Sequence, residues 1–535
     1  MNNSASLTSA GRSGHLDWSG RFGLFAWSLV LLVVRLFASK TVGFGDSEAL
    51  YASYAMHPAP AFLDHPGLVG LFARTLGNGG VPSPGAAHFV TALMATMFPW
   101  LVFAAARTMG ASRDGSYVCA LAVAVTPEIA IGLFAMTPDL LLALTWIFAL
   151  GLAARGLTEK PTSMIAAASF VAAGLVAGIG ATAKVSGVLL LLALTWTYAA
   201  RPARAHAKTI WPWAGIAIGT VAFVPVVLFE ARTGWPMLRH RFIDTQAGSG
   251  PSLTNVFAVL GGQLLYLSPL LAVLAIVIAI DLGRHRNDDA VAALLFRTIA
   301  LPMAFLLPFC LWSRVAEPHW LAPPLLALPL HFSRRYESAR EDGSLSLARS
   351  RPRFSAIAMG LAVAITAVAH VWVLVPNFTR ILPAALTKAD PKYDISNELY
   401  GWPDALNAIR EVTSEESARG EIVVVGPHWV ICAQLQAGLG QGAPSSVPPA
   451  PAQAGAAIRV GCATPIRDDF DTWEPRSHWQ NADKVLFVTD NRFDTDVRTI
   501  LPNHAVARRS RVTVLRSGRI ARTFTLTLLE SRARS

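Results

Sequence analysis

Residues 22–41 read FGLFAWSLVLLVVRLFASKT, and the chain runs on into Gly45-Asp46-Ser47-Glu48-Ala49-Leu50-Tyr51 and, after a gap, Phe62-Leu63-Asp64-His65-Pro66. An apolar run of about 20 residues crosses a hydrocarbon layer as one helix. The acids that follow cannot enter that layer. This junction decides the fold: a membrane helix delivers three carboxylates, a histidine and a tyrosine to one surface. Ionisable groups beside a bilayer are costly and stand as functional candidates.

The rest of the chain repeats the apolar theme. Of 535 residues, 53% are hydrophobic and 15% charged, with mean hydropathy +0.43. About eleven spans are expected, near 22–41, 87–107, 115–134, 138–155, 163–181, 185–200, 211–230, 254–280, 294–312, 319–332 and 355–376. The reading is a polytopic α-helical membrane protein. No small-residue cleavage site follows the first span, which is expected to stay as an anchor. The net charge of +11 does not point to nucleic acid, because most basic residues fall in short loops. One alternate set holds Arg12, Arg21, Arg107, Arg113, Arg155, Lys160, Arg201, Arg204, Lys208, Arg284, Arg286 and the run from Arg334 to Arg353. The positive-inside rule makes these loops cytoplasmic. The other face then carries 46–80, Met136 to Asp139, Lys184, Glu230 to Ser252, Arg314 to Trp320 and everything after Asn377. The unusual polar residues thus nearly all land on the outside of the membrane.

Residues 1–376 thus form a membrane domain whose first outer loop is 44–80. The aromatic content of 46–80 and its Pro66-Gly67 break predict amphipathic helices lying in the interface. Beyond residue 377 the pattern changes. Glu421–Gly426 and Lys484–Thr489 read as buried strands, Asp404–Val412 and Val430–Ala437 as helices. Gly438–Gly455 reads as a loop, and Val512–Leu515 with Arg522–Leu529 as a hairpin turning at Ser517-Gly518. The expectation is an extracytoplasmic α/β domain over 377–535. Cys119 and Cys310 lie in apolar spans as packing residues. Cys432 and Cys462 lie in the outer region, where an oxidising compartment permits either a disulfide or two thiols.

The chemistry-bearing residues fall on the outer face. Asp46 and Glu48 follow the first span and suit a general base or a divalent metal, or serve only as loop acids. Asp64-His65-Pro66 adds a carboxylate beside an imidazole, a pairing used for metals and proton transfer. Glu48, Asp64 and His65 are therefore candidate ligands for a divalent metal, the one cofactor this loop suggests. In Thr137-Pro138-Asp139, helix capping explains all three residues, and capping would also hold Asp139 firmly. Arg35 inside the first span and Lys184 between spans either snorkel or pair with an acid or a lipid phosphate. Arg232, Arg239, His240 and Arg241 make a positive cluster outside, against the orientation rule; phosphate recognition accounts for it. Glu317-Pro318-His319-Trp320 opens another span on the same face, with Trp320 an interfacial anchor or a site residue.

Together these motifs resemble bacterial members of glycosyltransferase family 39, the protein mannosyltransferase and lipid A aminoarabinose transferase group. The resemblance covers about residues 20–335, and more weakly Asp394 to Trp402. Glu48 and Asp64-His65-Pro66 match the acids of the family's first outer loop. Thr137 to Asp139, Lys184 and Pro318-His319-Trp320 match three further elements. Two departures stand out. Ser47 occupies the place of the family's acid before Glu48, with Asp46 one residue earlier. The family's Asn-x-x-His-x-Trp loop reads Glu230-Ala231-Arg232-Thr233-Gly234-Trp235, without the histidine.

The resemblance implies a multispan C-type fold and a sugar transferase. Its donor would be a sugar on a polyprenyl phosphate, used at the outer leaflet with inversion at the anomeric carbon. It would assign catalysis to Asp46, Glu48 and Asp139. Donor and phosphate binding would fall to Asp64, His65, Lys184, His319 and Trp320, joined on grounds of charge by Arg35, Arg239 and Arg241. The partners would be the donor, membrane lipids and a lipid, glycan or protein acceptor. A transporter is the rival from another class, but the acids lie at one surface and no repeat is visible. A second rival is an anchor displaying a binding domain, which has no need of acids at the foot of two spans.

Overall fold

The computed structural model describes residues 18–313, 317–342, 352–375, 390–417, 420–441 and 458–532. Arg12, Arg314, Arg349, Arg351, 377–389 and most of the Gly438–Gly455 stretch lie outside the described residues.

Helix α1 (Trp18–Thr41) leads into two outer helices, α2 (Asp46–Ser53) and α3 (Leu68–Leu76). The bundle continues with α4 (Pro84–Thr108), α5 (Arg113–Val125), α6 (Pro138–Thr158), α7 (Met164–Ala183), α8 (Val188–Ala199) and α9 (Trp211–Thr233). Then come short α10 (Pro236–Phe242), α11 (Leu253–Leu267), α12 (Pro269–His285), α13 (Ala290–Trp312), α14 (Ala327–Asp342) and α15 (Pro352–Leu374). Local sequence fixes many of the starts. Ser83, Ser112, Ser163 and Ser252 accept the N–H three residues on, and Asp289 accepts those of Val291 and Ala292. Each satisfies backbone donors that a helix start leaves unpaired.

Among the described residues, seven helices are long and apolar enough to cross a membrane. Two bent pairs raise the number to nine: Val185–Ala199 with Arg201–Ala207, bent 72°, and Leu253–Leu267 with Pro269–His285, bent 101°. The expected spans at 115–134 and 319–332 are not single helices. Pro127 follows the end of α5, and a π-type turn over Glu128–Gly132 replaces the rest of that span. Pro318, Pro323 and Pro324 confine the chain before α14 to short turns, as a ring without an N–H does.

The closest helix contact is α7 against α9. A Cβ on Gly174 would stand 1.9 Å from the carbonyl oxygen of Gly215, and one on Gly178 would stand 2.2 Å from that of Gly219. Two small-x-x-x-small rows thus let the backbones touch, the usual basis of helix association in lipid.

The C-terminal unit contains α16 (Trp402–Ser417), β1 (Ile422–Gly426), α17 (Trp429–Gly440), β2 (Arg459–Cys462), β3 (Lys484–Asp490), β4 (His504–Arg516) and β5 (Arg519–Ser531). Its sheet runs β2-β1-β3-β5-β4, the first three parallel and the last two antiparallel to their neighbours. Strand β1 is buried along its whole length, as a central parallel strand should be. The hairpin turns at Ser517 and Gly518, both with positive φ (58° and 75°), the twist a two-residue turn requires. Cys432 on α17 and Cys462 on β2 are joined as a disulfide, with Cα atoms 5.7 Å apart. Cys119 and Cys310 are free and buried.

The first outer loop is not laid out on a membrane surface. All of α2 except Ser47 is buried. Phe44, Leu50, Tyr51, Tyr54 and Phe62 share one apolar cluster with Trp402, Leu406, Ile431, Leu435 and Phe524 of the C-terminal unit. Gln434 adds a hydrogen bond from its side-chain amide to the Phe44 carbonyl, at 2.8 Å. The aromatics that suggested an interfacial helix form this joint instead. Only α3 keeps one open side, with Leu71 exposed.

Candidate active site

The motifs of the outer face separate into two groups. The first is built where α6, the end of α7, the 60s loop, α10 and the turn before α14 converge. Asp139 stands in the first turn of α6, behind Pro138. Thr137 precedes it without a side-chain cap, so the expected hydroxyl cap is absent and the acid turns to a cation. Lys184 Nζ donates to Asp139 Oδ1 at 2.7 Å. His319 Nε2 lies 3.7 Å from the other oxygen of Asp139, and its Nδ1 3.3 Å from Glu317. Arg241 donates to both the side chain and the backbone oxygen of Asp64, at 3.0 and 3.2 Å. His240 lies 3.9 Å from the same carboxylate. Trp320 joins the two ion pairs: Lys184 Nζ is 5.7 Å from its ring centre and the Arg241 guanidinium 5.4 Å. That position, between two cations and stacked on Phe309, is more than an interfacial anchor requires.

His65 and Tyr51 close the floor. His65 is buried, with its ring 5.5 Å from that of Tyr51. Burial, then the charges of Lys184 and Arg241, push the His65 imidazole well below its ordinary pKa. It is therefore neutral at pH 7. Burial and the carboxylates of Asp64 and Asp139 push the Tyr51 phenol up, so it stays protonated.

Asp46 and Glu48 belong elsewhere. Glu48 is an anchor. Its Oε2 accepts the Gly45 N–H at 2.9 Å, its Oε1 accepts the Met136 N–H at 2.7 Å, and His88 Nε2 lies 3.0 Å away. Burial alone would raise its pKa, but His88 and the two backbone donors outweigh that and hold it below the ordinary range. The same contacts cap α2 and fix the segment before α6. Asp46 faces the C-terminal unit: Arg492 reaches its Oδ2 at 2.9 Å. Glu398 also sits there, pushed up to about 7 by burial and then by the Asp46 charge. Behind them Arg522 and Asp490 form an ion pair at 2.6 Å with almost no exposure.

Three further expectations are corrected. Arg35 points into the bundle, away from the ion pairs. Its guanidinium donates to Thr96 Oγ1 at 3.1 Å and to the carbonyls of Ile129 and Ala130 at 3.2 and 2.8 Å. It satisfies carbonyls that the broken span leaves without helical partners. Arg239 lines a different space from Arg241: an outer cavity of about 410 Å³ bounded also by His57, His240, Arg467, Asp469 and Trp473. Glu48, Asp64 and His65 are not gathered as metal ligands, since Glu48 is held by His88 and Asp64 by Arg241. Among the described residues the one group of metal-ligating type is Asp281, His285 and His331.

Two cavities stand out among the described residues. The outer one contains His57 stacked on Trp473, ring centres 4.1 Å apart. His240 lines it and also neighbours Asp64, so it adjoins the ion pairs. The second, about 430 Å³ and mostly apolar, lies among α5, α12, α14 and α15 and includes Glu128. Glu128 is within electrostatic range of Asp139 and Lys184, and it is the one acid that lines this cavity. Sequence reasoning missed Glu128 and His88, although an ionisable residue within an apolar stretch is itself a signal. It also missed Asp469, Arg492 and Asp490, which carry no local signal.

Residues 68–229 match the dolichyl-phosphate-mannose-protein mannosyltransferase family. The match takes in Asp139 and Lys184 but begins after the Asp46–His65 acids. The crystal structure of ArnT from Cupriavidus metallidurans bound to undecaprenyl phosphate superposes with a TM-score of 0.55 at 15% identity, over 95% of this chain and 98% of that one. Its apo state gives the same values. No curated protein matches the sequence. Residues 68–229 are thus similar to this mannosyltransferase family, and the chain has an ArnT-like fold: a multi-pass helical bundle carrying a small C-terminal sheet domain.

Proposed function

We propose that the chain is an integral-membrane glycosyltransferase. It moves a sugar from a polyprenyl-phosphate donor to a lipid, glycan or protein acceptor on the periplasmic face of the bacterial inner membrane, with inversion. The observation that carries this reading is the pair of carboxylate-held cations, Lys184 and Arg241, at 5.7 and 5.4 Å from the centre of the Trp320 ring. A lipid phosphate is a stable leaving group whose charge must be held rather than protonated. Lys184 and Arg241 supply that through charge-assisted hydrogen bonds. The apolar cavity takes part of the lipid tail, and the outer cavity receives the acceptor.

Attack by an acceptor hydroxyl needs a base within hydrogen-bond reach. Asp64 meets that need best. Its neighbours Leu63 and His240 line the outer cavity, it is partly exposed, and its partner Arg241 is the cation that a donor phosphate would recruit. When the phosphate takes Arg241, Asp64 is free to accept the hydroxyl proton as the oxygen bonds to the anomeric carbon and the phosphate leaves with its electron pair. Asp139 holds Lys184 in place, and His319 braces Asp139. Asp46 and Glu48 serve the scaffold.

The test is transfer of label from polyprenyl-phosphate sugars in membranes. Asp64→Asn is expected to lower turnover by about 10²–10⁴-fold at normal protein level, with Asp46→Asn much less affected. Full loss in Asp46→Asn with Asp64→Asn active would return the base to the first loop.

A further inference from the structure

At the end of the bundle away from the ion pairs, three side chains converge that the transferase reading leaves unused. Asp281 and His285 stand one turn apart on α12, and His331 faces them from α14. One ligand atom from each lies within 4.8 Å of the other two. Helix α13, 23 residues long, starts beside this group at Asp289, which pairs with Arg334. It ends near Trp320, about 34 Å away at 1.5 Å per residue. The group is thus remote from the outer site.

The local geometry is that of prepared ligands. Asp281 and His331 are both buried. The Asp281 oxygens lie 2.8 Å from His331 Nε2 and 3.3 Å from His285 Nδ1. His285 Nδ1 is also 2.9 Å from the Asp281 backbone carbonyl. A carbonyl only accepts, so this contact puts the proton on Nδ1 and leaves the Nε2 lone pair available. That is the arrangement by which a second contact orients a metal-bound histidine. His331 Nδ1 is sealed from solvent with no hydrogen-bond partner among the described residues, a costly state for a buried nitrogen. Arg335 also pairs with Asp281, its Nε 3.8 Å from the carboxylate.

We propose that Asp281, His285 and His331 bind one divalent transition-metal ion of the zinc type, which fastens α12 to α14. Two imidazoles and a carboxylate, with water in the fourth position, suit tetrahedral zinc and exclude the all-oxygen shell that calcium or magnesium prefers. The ion ties the bent α11–α12 pair to the helix whose approach carries His319 and Trp320.

The test is metal content and cobalt spectroscopy on the full chain in detergent, purified without a polyhistidine tag. The chelated protein should take up one Co²⁺ per chain, show the visible bands of tetrahedral cobalt, and release the ion to Zn²⁺. His285→Ala and His331→Gln should each weaken uptake by about tenfold or more, and chelation should lower the Tm of the wild type only. His285 is partly exposed, so its variant tests the site without loss of the fold. Folded wild type that binds no stoichiometric cobalt, or equal uptake by both variants, overturns the site and leaves a hydrogen-bonded clamp.

Discussion

Two charged clusters, made from the same residue types, lie on the side of the bundle that carries the C-terminal unit. In one, Lys184 and Arg241 stand by the Trp320 ring and pair with Asp139 and Asp64, with His319 beside Asp139. In the other, Asp46, Glu398, Arg492, Asp490 and Arg522 lie where the C-terminal unit meets α2. The first keeps partial exposure: Asp139 and Asp64 retain 27% and 32% of their side-chain surface. In the second, Asp490 and Arg522 retain 0% and 1%. Charge alone therefore does not mark a site. The Asp490–Arg522 pair lacks access, whereas Arg492 and Glu398 keep 25% and 31% of their side-chain surface and differ from the first group in bracing the C-terminal unit against α2.

The strongest way to break this comparison is to treat both clusters alike. Removing Asp64 or Lys184 should lower transfer by about 10²–10³-fold or more while leaving the melting temperature near wild type. Arg522→Ala should do the opposite. It strands a buried Asp490 and should cost about 3–5 kcal/mol of stability, read by thermal unfolding. Glu48→Ala belongs with the second kind although it sits among the first loop's acids. It unpairs the Gly45 and Met136 N–H groups, so most of its loss should appear as reduced folded protein rather than reduced turnover per folded molecule. Arg492→Ala should be milder, about 1 kcal/mol, because that pair is partly solvated. Faster hydrogen exchange in α2 would reveal it.

The smallest effect concerns pH. Burial, then the Asp64 charge, pushes Asp469 up to about 7, and Glu398 likewise rises to about 7. Both folded values lie above the unfolded ones. The stability tied to these groups is therefore complete below about pH 4 and is lost as pH rises through about 7. Asp469 holds the 60s loop by accepting the Leu63 N–H at 3.1 Å and contacting the Tyr54 hydroxyl at 3.2 Å. Asp469→Asn should flatten that part of the melting-temperature profile between pH 4 and 7. A profile unchanged by the substitution would remove Asp469 from the account.

Much of the architecture was legible because hydrophobic length and positive loops are local signals. Seven spans, the two buried strands, both helices of the outer unit and the Ser517-Gly518 hairpin stood in the sequence. The two broken spans were overcounted because hydropathy ignores proline, and Pro127, Pro323 and Pro324 decide those regions. In the site, Asp64, His65, Asp139, Lys184, Arg241, His319 and Trp320 were all named and do come together. Arg35 and Arg239 were named for their charge, yet their partners are set by the turn at Ile129–Ala130 and by a second cavity. Those partners are tertiary facts. Asp46 and Glu48 show the same limit: two acids two residues apart on a short helix face opposite ways, one into the bundle and one into the C-terminal unit.

The central claim is that Lys184, Arg241 and Trp320 hold the phosphate of a polyprenyl lipid. Its most direct test is equilibrium binding of undecaprenyl phosphate to the purified full chain, comparing wild type with Lys184→Met and Arg35→Met. Loss of one charge-assisted contact predicts about tenfold to hundredfold weaker binding for Lys184→Met, and wild-type affinity for whatever Arg35→Met protein remains folded. Unchanged binding in Lys184→Met, or a loss confined to Arg35→Met, would contradict the account.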